Sequence, residues 1–264
     1  MGKVARALIR HEFVERVRDK WVVTISILFA ALSSAVTLYG SKAGNNAVGL
    51  TGPSLVTLAS LFVPLVALIL SHDAIVGEKE RNTLGLLVSL PIHRFELAVA
   101  KFLGRGTALV LAVGVGMGIS MLFSKTVASS VMPRLIGPTM LLGLSFLSLG
   151  LLISCLTKRQ VTAASTVVVI WFALVFFYDL GLLALLLISD GVVSQGTMNF
   201  LVLANPTGLF RVQMMTSFAG TAVFAQSGME FTAPALWEYI LIWSAWIVLP
   251  LVGSGLWLTR RRVL

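Results

Sequence analysis

Apolar residues come in long blocks separated by short charged stretches. Runs free of Asp, Glu, Lys, Arg and His cover 21–41, 43–71, 106–124, 135–157, 160–178 and 239–259, the shortest being 19 residues. A helix needs roughly 20 apolar residues to cross a hydrocarbon layer about 30 Å thick. In that layer the backbone must satisfy its own hydrogen bonds. The pattern predicts an all-α integral membrane protein, one domain over 1–264, with six transmembrane helices at about 22–39, 54–71, 102–123, 137–156, 161–187 and 237–258. The first apolar run is read as a retained span, because no small-residue cleavage site follows it. Two further charge-free stretches carry Gln195, Asn199, Asn205, Pro206, Gln213 and Gln226, which would leave polar groups facing lipid. The segment 190–236 is therefore expected to be extracytoplasmic, built of short, partly membrane-dipping helices.

Two polar segments have their own periodicity. In residues 3–20, Ile9, Phe13 and Val17 form an i, i+4, i+8 row among bases, which predicts an N-terminal interfacial helix. Between the second and third spans, charged Glu78 to Arg81 precede Leu84, Leu87 and Val88 at i, i+3, i+4, with Leu86 and Leu90 widening the apolar face and Pro91 ending it. A short apolar helix in water needs a cover, either the membrane surface or a groove on a partner. In the third span, Gly114 and Gly118 make a G-x-x-x-G pair suited to close helix approach.

Composition agrees with the pattern. Hydrophobic residues make up 57% and charged residues 12%, against about 45–50% and about 25% in soluble domains, which excludes an ordinary water-soluble enzyme. The net charge of +9 would point to nucleic acid in a soluble domain. Here no nucleic-acid partner is expected, because the bases follow topology. With the N terminus inside, sixteen Lys and Arg fall on the cytoplasmic side and only Lys42, Lys125, Arg134 and Arg211 outside, as the positive-inside rule requires. That predicts a multi-pass membrane protein with both termini cytoplasmic. The single cysteine, Cys155, excludes a disulfide framework.

The sequence contains no phosphate loop, no dinucleotide fingerprint, no zinc-protease motif and no nucleophile elbow. No catalytic residue is assigned, and any energy must come from a partner. Asp179 falls roughly 28 Å along the fifth span from Gln160 at 1.5 Å per residue, and reads either as functional or as an interfacial carboxylate. Thioethers suit Cu(I), which makes Met198, Met214, Met215, Met229 and Met132 candidate ligands. Methionine equally serves as a gap filler.

The run Gly77-Glu78-Lys79-Glu80-Arg81-Asn82-Thr83-Leu84, continuing to Leu90-Pro91, resembles the cytoplasmic coupling segment of type-2 ABC transporter permeases. Most members have Gly where this chain has Asn82. The resemblance covers essentially the whole chain, from the leading helix through six spans and a long outer segment to a basic end. Within the family the chain is most similar to the permeases that mature the copper sites of nitrous oxide reductase. That similarity rests on Asp73 to Glu78, Tyr178-Asp179-Leu180 with Leu182 to Leu186, Asn205-Pro206-Thr207 with Phe210-Arg211, and Arg260 to Arg262. It implies a homodimer in the lipid bilayer of a bacterial cytoplasmic (inner) membrane, two cytoplasmic ATPase subunits that hold ATP and Mg, and no cofactor on this chain. It also implies a periplasmic β-helical partner and delivery of copper or sulfur. Glu78, Glu80, Arg81, Thr83, Leu84, Leu87 and Leu90 would form the ATPase-coupling segment 78–91, with Glu78 and Glu80 either meeting bases on the ATPase or standing solvated. Asp179, Asn205 and Arg211 would be functional at the outer face. The alternative is a general type-2 exporter of a lipid, drug or polysaccharide.

Overall fold

A computed structural model of the protein describes residues 2–42, 47–89, 92–123, 125, 130–189, 193–219 and 234–260. Leu90, Pro91, Met229, Arg261, Arg262 and much of the expected outer segment lie outside these residues. Every regular element described is helical. In chain order these are α1 (Lys3–Val17), α2 (Lys20–Ser41), α3 (Ala47–Ser71), α4 (Val76–Glu80), α5 (Leu84–Ser89), α6 (Arg94–Met121) and α7 (Met132–Leu156). Then follow α8 (Gln160–Phe172), a π-turn (Ala173–Phe177), α9 (Tyr178–Ile188), α10 (Gln195–Ala204), α11 (Pro206–Ala219) and α12 (Leu236–Arg260).

Five helical stretches are long and apolar enough to cross a membrane: Thr51–Glu80, Arg94–Met121, Met132–Leu156, Gln160–Ile188 and Leu236–Arg260. They coincide with the second to sixth expected spans. The expected first span lies in α2, whose apolar stretch among the described residues is the shorter Ser26–Gly40. Helix α6 begins eight residues before the expected 102, so Lys101 and Arg105 sit within a helix and not ahead of one.

The core is formed where α3, α6, α7 and α12 pack together, around Leu68, Leu109, Leu142, Phe146 and Trp243. Helix α2 packs on α6, and the close approach uses neither member of the expected glycine pair. It uses Gly116, where an added Cβ would come within 2.8 Å of the Phe29 ring, whereas nothing lies within 4 Å of such an atom at Gly118. Pro64 interrupts the hydrogen-bond ladder of α3, and the nearby Leu61 carbonyl accepts a bond from Trp171 Nε1 at 3.0 Å. The outward faces of α8, α9 and α12 present Val169, Leu187 and Leu249 uncovered. Such a face is stable against lipid or another apolar surface and not against water.

Candidate functional site

Helices α4 and α5 form a corner whose shape follows from its turn. Asn82 has a φ of 55°. Thr83 N–H donates to Glu78 O at 3.0 Å and Asn82 N–H to Lys79 O at 3.2 Å. Those two bonds make a Schellman ending, which needs a left-handed residue. Asn is one of the few side chains that accept this region without large cost, so Asn82 can take the place usually held by Gly in such an ending.

The corner presents a different face from the one expected. Leu84 is only 2% exposed and belongs to the core, and Leu87 packs partly buried against the same cluster. Among the described apolar side chains of the corner, Leu86 is uncovered, 70% exposed, beside exposed Arg81 and Gly85. Helix α4 is short, and Leu84 and Leu87 of α5 are spent on the bundle.

The corner is tied to the ends of two long helices. Ile75 N–H and Val76 N–H donate to Ser154 Oγ at 2.9 and 3.0 Å. Lys79 Nζ donates to Cys155 O at 2.9 Å, at the C-terminus of α7. Glu80 Oε1 accepts from Gln160 N–H at 2.8 Å, at the N-terminus of α8. A cation on terminal carbonyls and a carboxylate on a terminal amide both match the helix dipole. Glu80 is thus engaged within the chain.

Glu78 reaches the other way, into a buried ion-pair network. Its carboxylate accepts from Thr83 Oγ1 and from Lys101 Nζ, the latter at 3.1 Å. Lys101, fully buried, also pairs with Glu12 of α1. Glu12 in turn accepts from Arg105 Nε at 3.0 Å. Arg105 donates to Asp73 at 2.5 Å and to Leu70 O, at the end of α3, at 2.7 Å. Asp73 also holds Arg16 of α1 at 2.7 Å. Isolated charges at these depths would be very costly, and each is stable only because its neighbours have the opposite sign. Burial alone would raise the pKa of Glu12, but the charges of Arg105 and Lys101 outweigh it and hold the carboxyl below its ordinary value. Gly104 lets α1 lie this close, since an added Cβ there would come within 2.6 Å of the Glu12 Cβ. Glu12, Asp73, Lys101 and Arg105 were not singled out from sequence as site residues. The signal available was an acid on the apolar side of α1 and two bases running into the third span.

About 21 Å along the α8 axis from Gln160, at 1.5 Å per residue, the chain builds a second polar assembly. In the π-turn, Tyr178 N–H bonds to Ala173 O, five residues back, which deprives the Leu174 carbonyl of its usual helical donor. Asn205 Nδ2 and Thr207 Oγ1 donate to Leu174 O at 2.6 and 3.0 Å. Asn205 Oδ1 accepts from Thr207 N–H at 3.1 Å, capping α11. Arg211 pairs with Asp179 and donates to Val175 O at 3.3 Å. Tyr178 Oη donates to Leu201 O at 2.7 Å. Asp179, Asn205 and Arg211, scattered in sequence, therefore form one clasp that locks α10 and α11 onto α8 and α9. Met214 is buried in the core and Met215 is half-exposed. Among the described residues no cluster of His, Cys, Asp or Glu is suited to a metal ion.

Both assemblies join helices to one another. Residues 6–262 match the family described as ABC-2 family transporter protein. The chain is 36% identical over 257 residues to the probable ABC transporter permease protein NosY of Pseudomonas aeruginosa, covering 91% of this chain and 94% of that one. It is 34% identical over 251 residues to the probable ABC transporter permease protein NosY of Stutzerimonas stutzeri, covering 89% and 91%. Matched over residues 6–262 by the family model and along most of its length by these relatives, the chain belongs to the ABC-2 family of transporter membrane permeases.

Proposed function

We propose that this chain is the six-span permease subunit of an ABC transporter that serves copper-site maturation of nitrous oxide reductase, by moving or delivering copper or sulfur at the periplasmic side. It works as a homodimer on two cytoplasmic ATPase subunits that hold ATP and Mg, with a periplasmic β-helical partner. Both termini and the α4–α5 corner face the cytoplasm, a topology supported by the sixteen-to-four division of basic residues. The copper role rests on the likeness to the NosY permeases.

The observation that carries the coupling role is the arrangement of the corner. Arg81 and Leu86 are exposed, while the same corner is bonded directly to α6, α7 and α8 and, through Lys101, to Glu12 of α1. ATP-driven closure of the ATPase pair pushes on Leu86 and Arg81. Because α4 is fastened to helix ends by short bonds, the push becomes rigid-body movement. Helix α8 carries it to the clasp, and the clasp carries it to α10 and α11.

The test is co-purification of tagged permease with its ATPase. Leu86→Glu with Arg81→Glu is expected to lose the ATPase while keeping the elution profile of the wild type, and Leu86→Met to keep it. Stoichiometric ATPase bound to the Leu86→Glu, Arg81→Glu double variant would refute the docking face. Leu84→Glu does not address this point, because it places a charge in the core.

A further inference from the structure

Helix α1 presents its two faces to different surroundings. Toward α6 it sends Ala5, Leu8 and Glu12, all buried, with Ile9 and Phe13 packed partly buried against the core. The apolar row that reads as membrane-facing in the sequence is therefore spent on the protein. The opposite face carries Ala7, Arg10, His11, Val14 and Arg18 at i, i+3, i+4, i+7 and i+11, one helical stripe, and each of them is exposed. Arg6 stands exposed at its edge. Among the described residues no carboxylate pairs with Arg6, Arg10 or Arg18. The acid on this face, Glu15, lies 3.9 Å from His11. The stripe is thus a line of uncompensated arginines with Ala7 and Val14 between them.

The packing of α1 also fixes its depth. It crosses α6 at Gly104, where an added Cβ would meet Ile9 O at 2.9 Å and the Phe13 nitrogen at 3.4 Å. Gly104 lies between Lys101 and Arg105, and beyond Arg105 the charge-free run 106–124 enters the apolar layer. The middle of α1 therefore lies where α6 passes from charged to apolar surroundings, which is the level of the lipid headgroups. Two residues after α1 ends, α2 begins at Lys20 and leads into the apolar stretch Ser26–Gly40. Anionic lipids attract bases at this level, and the guanidinium fork matches a phosphate. Ala7 and Val14 suit the boundary between headgroup and acyl chain. An acidic protein surface would match the arginines equally well, but not the depth.

We infer that the outer face of α1 binds the headgroups of anionic phospholipids, with Arg10 and Arg18 on their phosphates and Ala7 and Val14 at the acyl boundary. Glu12, on the opposite face of the same helix, pairs with Lys101, which holds Glu78 of the corner. The lipid contact therefore steadies the helix on which the coupling corner rests. Only the assignment to the cytoplasmic leaflet rests on the topology proposed above.

The test uses the full-length chain in mild detergent, incubated with palmitoyl-oleoyl phosphatidylglycerol or its phosphatidylcholine counterpart and weighed by native mass spectrometry. The wild type is expected to retain phosphatidylglycerol in preference. Arg10→Gln with Arg18→Gln should lower that preference about twenty-five-fold, about fivefold for each base at a headgroup surface, and Arg10→Lys with Arg18→Lys should keep most of it. Both positions are exposed, so folding is kept, and an unchanged elution profile verifies this. Lys158→Gln with Arg159→Gln removes an exposed basic pair between α7 and α8 and should leave the preference unchanged. Equal retention of both lipids by the wild type, or a preference unmoved by the α1 substitutions, would overturn the inference. An equal fall in the Lys158, Arg159 variant would mean general attraction to a basic face and overturn it too. Loss of the ATPase from the Arg10→Gln, Arg18→Gln variant with lipid preference intact would assign the stripe to the ATPase instead. The Leu86→Glu, Arg81→Glu variant should lose the ATPase and keep the lipid preference, so that the docking face and the lipid face fail separately.

Discussion

Replacing Glu12 by Gln tests whether the buried network is the bolt between α1 and the bundle. The carboxylate accepts from Lys101 Nζ and from Arg105 Nε at 3.0 Å, and both cations are almost fully buried. A charge-assisted bond contributes about 1.5–3 kcal/mol, and removing one member of a buried pair costs about 3–5 kcal/mol. Gln keeps one acceptor oxygen. Lys101 keeps Glu78 at 3.1 Å and Arg105 keeps Asp73 at 2.5 Å. The loss should therefore fall near the lower end, about 3 kcal/mol, read by denaturant unfolding in detergent with tryptophan fluorescence. A second reading comes from pH. Because the folded pKa of Glu12 lies below its ordinary value, its stabilisation is complete above the unfolded carboxylate pKa of about 4.3 and disappears as pH falls through the folded value. The wild type should lose more stability than the Glu12→Gln variant on acidification below about pH 5. Replacing Glu12 and Lys101 together by Met should recover much of the loss, since apolar replacement of a whole buried pair is often neutral. A cost under about 1 kcal/mol for Glu12→Gln, or identical acid profiles, would show that the network is a solvated surface pair and refute the reasoning.

Two further outcomes follow from backbone geometry. At Asn82, with φ 55°, Gly should be tolerated while Val should cost about 1–2 kcal/mol and weaken ATPase retention, both readable by thermal unfolding and co-purification; equal stability of the Val and Gly variants would contradict the left-handed turn. Asn205→Leu removes one donor from Leu174 O and the acceptor of Thr207 N–H, so a loss of about 2 kcal/mol and faster amide exchange across 173–178 are expected. Unchanged exchange there would mean that the clasp does not hold the π-turn.

The membrane class, the five helical stretches long and apolar enough to cross a membrane, and the helical α1 were legible because each depends on a local pattern of apolar residues. The helical corner from Val76 to Ser89 was legible as a segment and not as a surface. Spacing alone placed Leu84 and Leu87 together, but which side of a six-residue helix meets the bundle depends on the turn before it, and Asn82 rotates Leu84 inward and Leu86 outward. The partners of Glu78 and Glu80 were equally hidden, because Lys101 and Gln160 lie 23 and 80 residues away. Asp179, Asn205 and Arg211 were each visible as polar residues in apolar surroundings. Their union depends on a π-turn, which has no recognisable side-chain pattern.

By itself the sequence determined where the chain prefers hydrocarbon and where it must stay with water, because that preference is summed residue by residue along a helix. It also supplied, in the run from Gly77 to Leu84, a resemblance to the family that the match over residues 6–262 shows. Only the tertiary structure decided which charges neutralise one another. A Glu on α1 and a Lys and an Arg on α6 become a bolt when Gly104 lets two helices touch. The physical reason is that a lone buried charge is prohibitively unstable and a paired one is not, and pairing across helices is a property of their packing.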